Sequence, residues 1–205
     1  MHLFRERNVY NNPLYTPRRE GLHYMTDINI ENIVASTQIA DELDIKQLAD
    51  KIPASKYDPE RFPGLILHIE KPKTAVLLFS TGNAICTGAK NMEDVNDAIN
   101  EVVSKIKSVG LPVSGKRKIK TQNIVASSDL KKELQLSSIA KTLLLENVEY
   151  EPEQFPGLVY RMDNLGAVLL LFSSGRLVCT GAKKMEDVST AIDTMKDKLS
   201  SMGVL

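Results

Sequence analysis

Hydrophobic positions along this chain change period in a set order, and the order runs twice. Ile28, Ile30 and Ile33 alternate with polar residues and predict a strand, after which Leu43, Ile45, Leu48 and Ile52 form a short helical stripe. Tyr57 to Phe62 contains Asp58-Pro59 and runs into Pro63-Gly64, which reads as a turn or exposed loop. Three β-prone runs follow, Leu65 to Ile69, Thr74 to Phe79 and Asn83 to Thr87, separated by Lys71-Pro72-Lys73 and Ser80-Thr81-Gly82. These are hairpin connections of an antiparallel sheet. Val95, Ala98, Ile99, Val102, Val103 and Ile106 then recur at helical spacing and predict a long amphipathic helix from about Asn91 to Val109. Its counterpart, from about Met185 to Met202, uses Val188, Ala191, Ile192, Met195 and Leu199. Both stripes read as faces packed on the sheet.

The residues repeat as well as the pattern. Asn32 to Ser36 and Asn123 to Ser127 are both NIVAS, and Phe62 to Leu65 and Phe155 to Leu158 are both FPGL. CTGAK recurs at Cys86 and Cys179, and MEDV at Met92 and Met185. The offset is 91 residues at the Asn pair and 93 from the Phe pair onward, so the second copy carries a two-residue insertion between them. A duplicated module this long implies two similar lobes about an approximate two-fold axis. A copy of this size could only just sustain its own core, which favours fusion of the two. The expected architecture is α+β: five strands and two helices per copy, joined edge to edge into one curved ten-stranded antiparallel sheet, a saddle with helices on its convex face and the other face uncovered. The expected boundaries are an extension over 1–24, a first repeat over 25–113, a basic linker over 113–120 and a second repeat over 121–205. The linker region holds Pro112, Gly115 and the cations Lys116, Arg117, Lys118 and Lys120.

Composition narrows the class without naming a partner. At 42% hydrophobic and 25% charged residues the chain is ordinary for a globular protein, and no apolar run has the length of a membrane span. Lys plus Arg equals Asp plus Glu at 26 each, so charge placement rather than net charge must identify any polyanionic partner. Cys86 and Cys179 hold the same place in each repeat, inside strand-like runs with no second Cys or spaced His. That is poor metal-ligand spacing and reads as two buried thiols; a disulfide between them needs both near the axis. A reducing intracellular compartment follows, so we expect a cytoplasmic protein. Residues 1–24 match neither repeat and read as a flexible tail. Arg19, Glu20 and Gly21 can be encoded by purine-rich codons just ahead of Met25, so translation is expected to begin at Met25.

Enzymatic chemistry finds little purchase. There are three His, two of them in the tail, and no catalytic Ser/His/Asp or paired-carboxylate constellation recurs in both copies. TGAK supplies one Gly and one Lys, far short of a phosphate-binding loop. We therefore expect no enzyme, no cofactor and no metal. The sheet is more telling. Residues two apart in a strand share a face, which sets Leu77 and Phe79 against Leu78, and Ile85 and Thr87 against Cys86. The second copy sets Leu170 and Phe172 against Leu171, and Val178 and Thr180 against Cys179. Both faces are apolar, so either helices or a partner subunit cover both, or one is a large binding surface.

The two NIVAS segments, the RFPG and QFPG turns, the EKPK stretch, the F-S-x-G hairpins and the two TGAK segments resemble the TATA-binding protein family over about residues 28–203. The short form is more similar to archaeal than to eukaryotic members. The resemblance implies a saddle seated on a widened DNA minor groove, a device for which this family is itself the usual illustration. It assigns Phe62 with Phe79 and Phe155 with Phe172 as intercalating pairs, and Asn32 and Asn123, with Thr87 and Thr180, as groups that bond minor-groove acceptors. Val34, Val125, Leu77, Leu170, Ile85 and Val178 become the apolar floor, which disfavours the exocyclic amine of G. Arg161, Arg176, Lys90 and Lys183 become phosphate contacts. Glu151 and Glu153 match the acidic stirrup on which transcription factor B docks, a partner that gives direction to a pseudo-symmetric saddle and leads indirectly to RNA polymerase.

The first repeat departs from this pattern, with His68 where the twin has Arg161 and Asn83 where it has Arg176. Weaker phosphate anchoring on the N-terminal lobe and a shallower salt dependence are therefore expected, unless the basic linker compensates. The implied function is a DNA-bending general transcription factor that recognises A/T-rich TATA-like promoters and nucleates initiation. The alternative is a paralogue that uses the same concave sheet as a protein-interaction scaffold.

Overall fold

The computed structural model describes residues 27–113, 117–143 and 147–205. The expected tail over 1–24, the start at Met25 and Lys116 of the linker lie outside the described residues.

Among the described residues each copy of the repeat folds into five strands and two α-helices, with a short 3-10 turn at Asp163–Leu165 in the second. The first gives β1 (Asn29–Gln38), α1 (Ile45–Lys51), β2 (Ser55–Asp58), β3 (Phe62–Ile69), β4 (Thr74–Leu78), β5 (Asn83–Ala89) and α2 (Met92–Ser108). The second gives β6 (Lys120–Asp129), α3 (Leu136–Thr142), β7 (Val148–Glu149), β8 (Leu158–Met162), β9 (Ala167–Leu171), β10 (Arg176–Thr180) and α4 (Met185–Ser201). The ten strands form one sheet in the order β2-β3-β4-β5-β1-β6-β10-β9-β8-β7, every described pairing antiparallel. The two lobes meet through the twin strands β1 and β6, with Asn32 opposite Val125 and Val34 opposite Asn123. The expected single sheet and its fusion at the axis are thus present.

Helix α2 starts where Asn91 Oδ1 accepts from the Asp94 amide at 2.7 Å. Glu93 and Asp94 sit in its first turn and Lys105 and Lys107 in its last, each placed favourably for the helix dipole. Its apolar stripe, Val95 to Ile106, is buried on one side of β3, β4 and β5 against Leu65, Val76, Leu78 and Cys86. Helix α4 buries Val188, Ala191, Ile192, Met195 and Leu199 on the same side of the second lobe, against Leu158, Leu169, Leu171 and Cys179. Each lobe has its own core, and Ile30 packs against both.

Two local features differ from the hydrophobic pattern. Ile28 and Ile30 are out of phase with Ile33, and the ladder shifts register between Ile30 and Asn32, so a bulge lets Ile30 and Ile33 both face the cores. The stretch read as a loop from Tyr57 to Phe62 is partly strand: Ser55–Asp58 pairs with β3, and β3 already begins at Phe62. Tyr57 alone of those four side chains packs on the core, so neither hydrophobic period could reveal an edge strand held by its backbone.

Cys86 and Cys179 are free and buried, and loss of water around them pushes both thiols from the ordinary 9.0 up to about 11. An unfolded thiol ionises first, so this contribution is intact below pH 9.0 and is lost as pH rises toward 11. Native protein is expected to react negligibly with a thiol reagent at neutral pH and to titrate for both thiols in denaturant. Its melting temperature should fall over that alkaline window; rapid native labelling is the contrary result.

Candidate nucleic-acid interface

No described helix covers the other face of the sheet, and its side chains lie in cross-strand rows. In the first lobe Lys56, Ile66, Leu77, Ile85 and Ser36 stand opposite one another from β2 across to β1. In the second, Glu149, Val159, Leu170, Val178 and Ser127 do the same from β7 to β6. Cross-strand partners share a face. Their outward aspect is seen in burial: Leu77, Ile85, Leu170, Val178, Val34 and Val125 are half-buried, while Leu78, Cys86, Leu171 and Cys179 between them are buried. The alternation read from sequence thus agrees with the structure in setting Leu77, Ile85, Leu170 and Val178 on the open face, and Ile66 and Val159 share that face.

Asn32 and Asn123 sit beside the axis in half-buried positions. Asn32 Oδ1 accepts from the Gly88 amide at 2.7 Å and Nδ2 donates to Thr87 Oγ1 at 3.2 Å. Asn123 repeats this with Gly181 at 2.7 Å and Thr180 at 3.3 Å. Gly88 and Gly181 reach these amides with φ of 92° and 93°, a left-handed backbone that glycine adopts without cost. The result is a fixed amide orientation. With Oδ1 held by backbone, each Nδ2 has one proton engaged by threonine and one left to donate from the open face.

An aromatic pair stands at each end of the floor. Phe62 and Phe79 meet edge to face at 5.8 Å and 70°, and Phe155 and Phe172 at 5.9 Å and 68°. Phe79 and Phe172 are set by tight hairpins, each amide donating across the turn, to Asn83 O at 3.0 Å and Arg176 O at 2.9 Å. The glycines of the two FPGL segments serve these rings rather than only turning the chain. A Cβ on Gly64 would lie 2.6 Å from Phe62 Cε1 and 3.1 Å from Phe79 Cε1, and one on Gly157 2.7 Å from Phe155 Cε1 and 3.1 Å from Phe172 Cε1. Phe155 keeps 38% of its surface exposed, unusual for so large an apolar group.

The four candidate phosphate cations are not equivalent. Arg161 makes a forked pair with Glu149, Nε to Oε1 at 3.1 Å and the other guanidinium nitrogen to Oε2 at 3.4 Å. Lys90 pairs with Glu31 at 3.4 Å. The Glu31 carboxyl is held below its usual range first by the Ser127 hydroxyl, at 2.6 Å, and then by Lys90. Arg176 stands opposite Asp129 in the β10–β6 ladder, and Lys183 is exposed with no partner among the described residues. His68 is exposed on the open face opposite Ala75, and Asn83 is half-buried opposite Gln38. Glu151 and Glu153 are exposed in the loop before Phe155, where Gln154 donates to Glu151. Among the described residues no group of His, Cys, Asp and Glu could hold a metal ion, and no helix is long and apolar enough to cross a membrane.

Lys56, Glu149, Gly64, Gly157, Gly88 and Gly181 join this surface without having been singled out from sequence. The first two were accessible by aligning the repeats, which puts Lys56 on Glu149; the glycines needed the backbone.

The family model described as "Transcription factor TFIID (or TATA-binding protein, TBP)" matches residues 27–109 and 118–202. The chain is 51% identical over 178 residues to the TATA-box-binding protein of Thermoplasma acidophilum, covering 87% of this chain and 97% of that one. It is 47% identical over 178 residues to that of Archaeoglobus fulgidus, again covering 87% and 97%. It is 48% identical over 185 residues to TATA-box-binding protein E of Halobacterium salinarum, covering 88% and 100%. Among solved structures it is similar to Methanococcus jannaschii TBP, with a TM-score of 0.78 and 43% identity over 85% of this chain and 98% of the other.

Proposed function

The chain belongs to the TATA-binding protein family, and on that footing we propose that it recognises A/T-rich promoter DNA from the minor groove, bends it and nucleates transcription initiation. The observation that carries this reading is the fixed orientation of the Asn32 and Asn123 amides, which turns a donor toward the open face on each side of the axis. A·T and T·A pairs offer only acceptors in the minor groove, adenine N3 and thymine O2, so two donors satisfy either and cannot tell them apart. A G·C pair adds a guanine amine, a donor set against a donor or against Leu77, Ile85, Leu170 and Val178. Left unpaired on burial, it costs about 1–3 kcal/mol.

Flattening the groove onto this floor requires unstacking base steps, at a few kcal/mol each. Phe62 with Phe79 and Phe155 with Phe172 are the wedges, one pair at each end; insertion by such pairs is carried over from family membership. Arg161, Arg176, Lys90 and Lys183 hold backbone phosphates and set position rather than sequence. Because the floor is pseudo-symmetric, direction comes from outside it. Glu151 and Glu153 carry two negative charges with no ion-pair partner among the described residues, whereas Asp58 and Glu60 of the first lobe share their loop with Arg61. The second loop is the docking surface for transcription factor B, through which RNA polymerase is recruited to DNA in the cytoplasm.

The test is fluorescence-detected binding and bending of an end-labelled duplex carrying a TATA-like element, beside a G·C-substituted control, with and without transcription factor B. Tight A·T-selective binding with bending is expected. Absence of selective binding with the factor present and salt lowered would overturn the reading and leave a protein-binding scaffold.

A further inference from the structure

The substitutions that seemed to strip cations from the N-terminal lobe are half of a double exchange. Aligned on its twin, that lobe has His68 for Arg161 and Asn83 for Arg176, but it also has Lys56 for Glu149 and Gln38 for Asp129. Each lost arginine takes with it the carboxylate on the neighbouring strand. In the second lobe Arg161 is neutralised by Glu149, and Arg176 stands opposite Asp129, whose carboxylate is bonded to Lys131 at 3.0 Å. In the first, Gln38 Nε2 is spent on the carbonyls of Ala40 and Thr81, both at 2.6 Å, and Asn83 is neutral. Lys56 remains. It is exposed, its side chain has no hydrogen bond or ion pair among the described residues, and it closes the outer end of the row Ile66, Leu77, Ile85 on the open face.

We propose that Lys56 is a phosphate-binding residue of the N-terminal lobe, holding the DNA backbone beyond the outer end of that lobe's apolar floor. The inference rests on the DNA-binding reading above. Freeing Arg161 for a phosphate leaves Glu149 beside the same strand, so that corner's net charge stays near zero. Lys56 brings a charge with no ion-pair partner among the described residues to the equivalent corner, on a flexible stem. The N-terminal lobe is therefore anchored at its edge, contrary to the weaker anchoring expected from His68 and Asn83 alone, and the two lobes grip the backbone at non-equivalent places.

The experiment measures the salt dependence of TATA-duplex affinity for the full chain and for Lys56→Gln and Arg161→Gln. Thermal unfolding serves as the folding control, since both side chains are exposed. Lys56→Gln is expected to remove about one phosphate's worth of slope, so that its penalty is about threefold larger at 50 mM than at 200 mM salt. Arg161→Gln should change the slope less. Two further duplexes, each with neutral methylphosphonates on one flank and each measured with transcription factor B bound to fix the direction, locate the contact: the Lys56→Gln penalty should vanish on one and persist on the other. An unchanged slope, or equal penalties on both flanks, overturns the assignment while leaving wild-type binding in place. Failure of the unsubstituted chain to bind overturns the DNA-binding reading itself, and this one with it.

Discussion

Replacing Phe155 and Phe172 together by alanine is expected to leave the protein folded, cut the DNA bend to about half and weaken TATA binding by roughly a hundredfold. The half follows from geometry: the Phe62–Phe79 pair at the other end, with nearly the same 5.8 Å and 70° arrangement, is untouched. The affinity follows from what a wedge does. An inserted ring loses its water and stacks on a base, whereas alanine leaves the step closed and the floor lifted from the groove beside it. Truncating a well-buried Phe costs about 3–5 kcal/mol, but the unstacking cost is no longer incurred, so a net loss near 3 kcal/mol for the pair is reasonable. The protein's own stability should move little, because Phe155 is 38% exposed and belongs to neither core cluster. Energy transfer between end labels reports the bend and titration the affinity. Full bending by the double variant would remove the wedge assignment, and replacing all four rings should abolish bending.

Why these rings could be picked out in sequence, and other parts of the surface could not, has a physical explanation. A Phe beside a Pro-Gly turn, repeated with its hairpin partner 93 residues on, is one of the local segments that carry the family resemblance, and that resemblance is what assigned the rings. Face assignment was equally accessible, because alternation is unbroken from Thr74 to Leu78 and from Asn83 to Thr87 and a strand's period is rigid. β2 was hidden because an edge strand needs only backbone partners on one side, and Ser55, Lys56 and Asp58 bury nothing that marks a period. The Arg161–Glu149 pair was hidden because it depends on register between β7 and β8, and β7 is only two residues long. Missing it made the N-terminal lobe look short of cations, when the carboxylate at one corner had been exchanged for Lys56. The seats beneath the rings escaped for another reason: Gly64 and Gly157 look like turn residues, yet neither has a positive φ, and what excludes a side chain is the ring 2.6 or 2.7 Å away.

The second large effect belongs to the asparagines, and a one-atom exchange isolates it. In Asn123→Asp one carboxylate oxygen can still accept from the Gly181 amide, the 2.7 Å bond that sets the side chain, so the backbone there has no reason to move. The donor, however, is gone. A second oxygen with a full negative charge faces the adenine N3 and thymine O2 acceptors in a site from which the floor excludes water. Losing the hydrogen bond and leaving a charge unpaired each cost at least about 1–3 kcal/mol, so a loss of about 3 kcal/mol, over a hundredfold, is expected at an A·T site. Asn32→Asp should behave alike, and the two together should leave binding undetectable. Specificity separates this from a general charge effect. An acceptor at this position has a partner in the guanine amine, so a G·C pair placed beneath it should lose far less affinity, and the ratio between A·T and G·C duplexes should collapse toward one. Equal losses on both duplexes would mean that the amide orientation does not read the groove. Asn123→Asp with an unchanged ratio and unchanged melting temperature would leave repulsion from phosphate as the explanation, and the donor role of Asn123 would have to be abandoned.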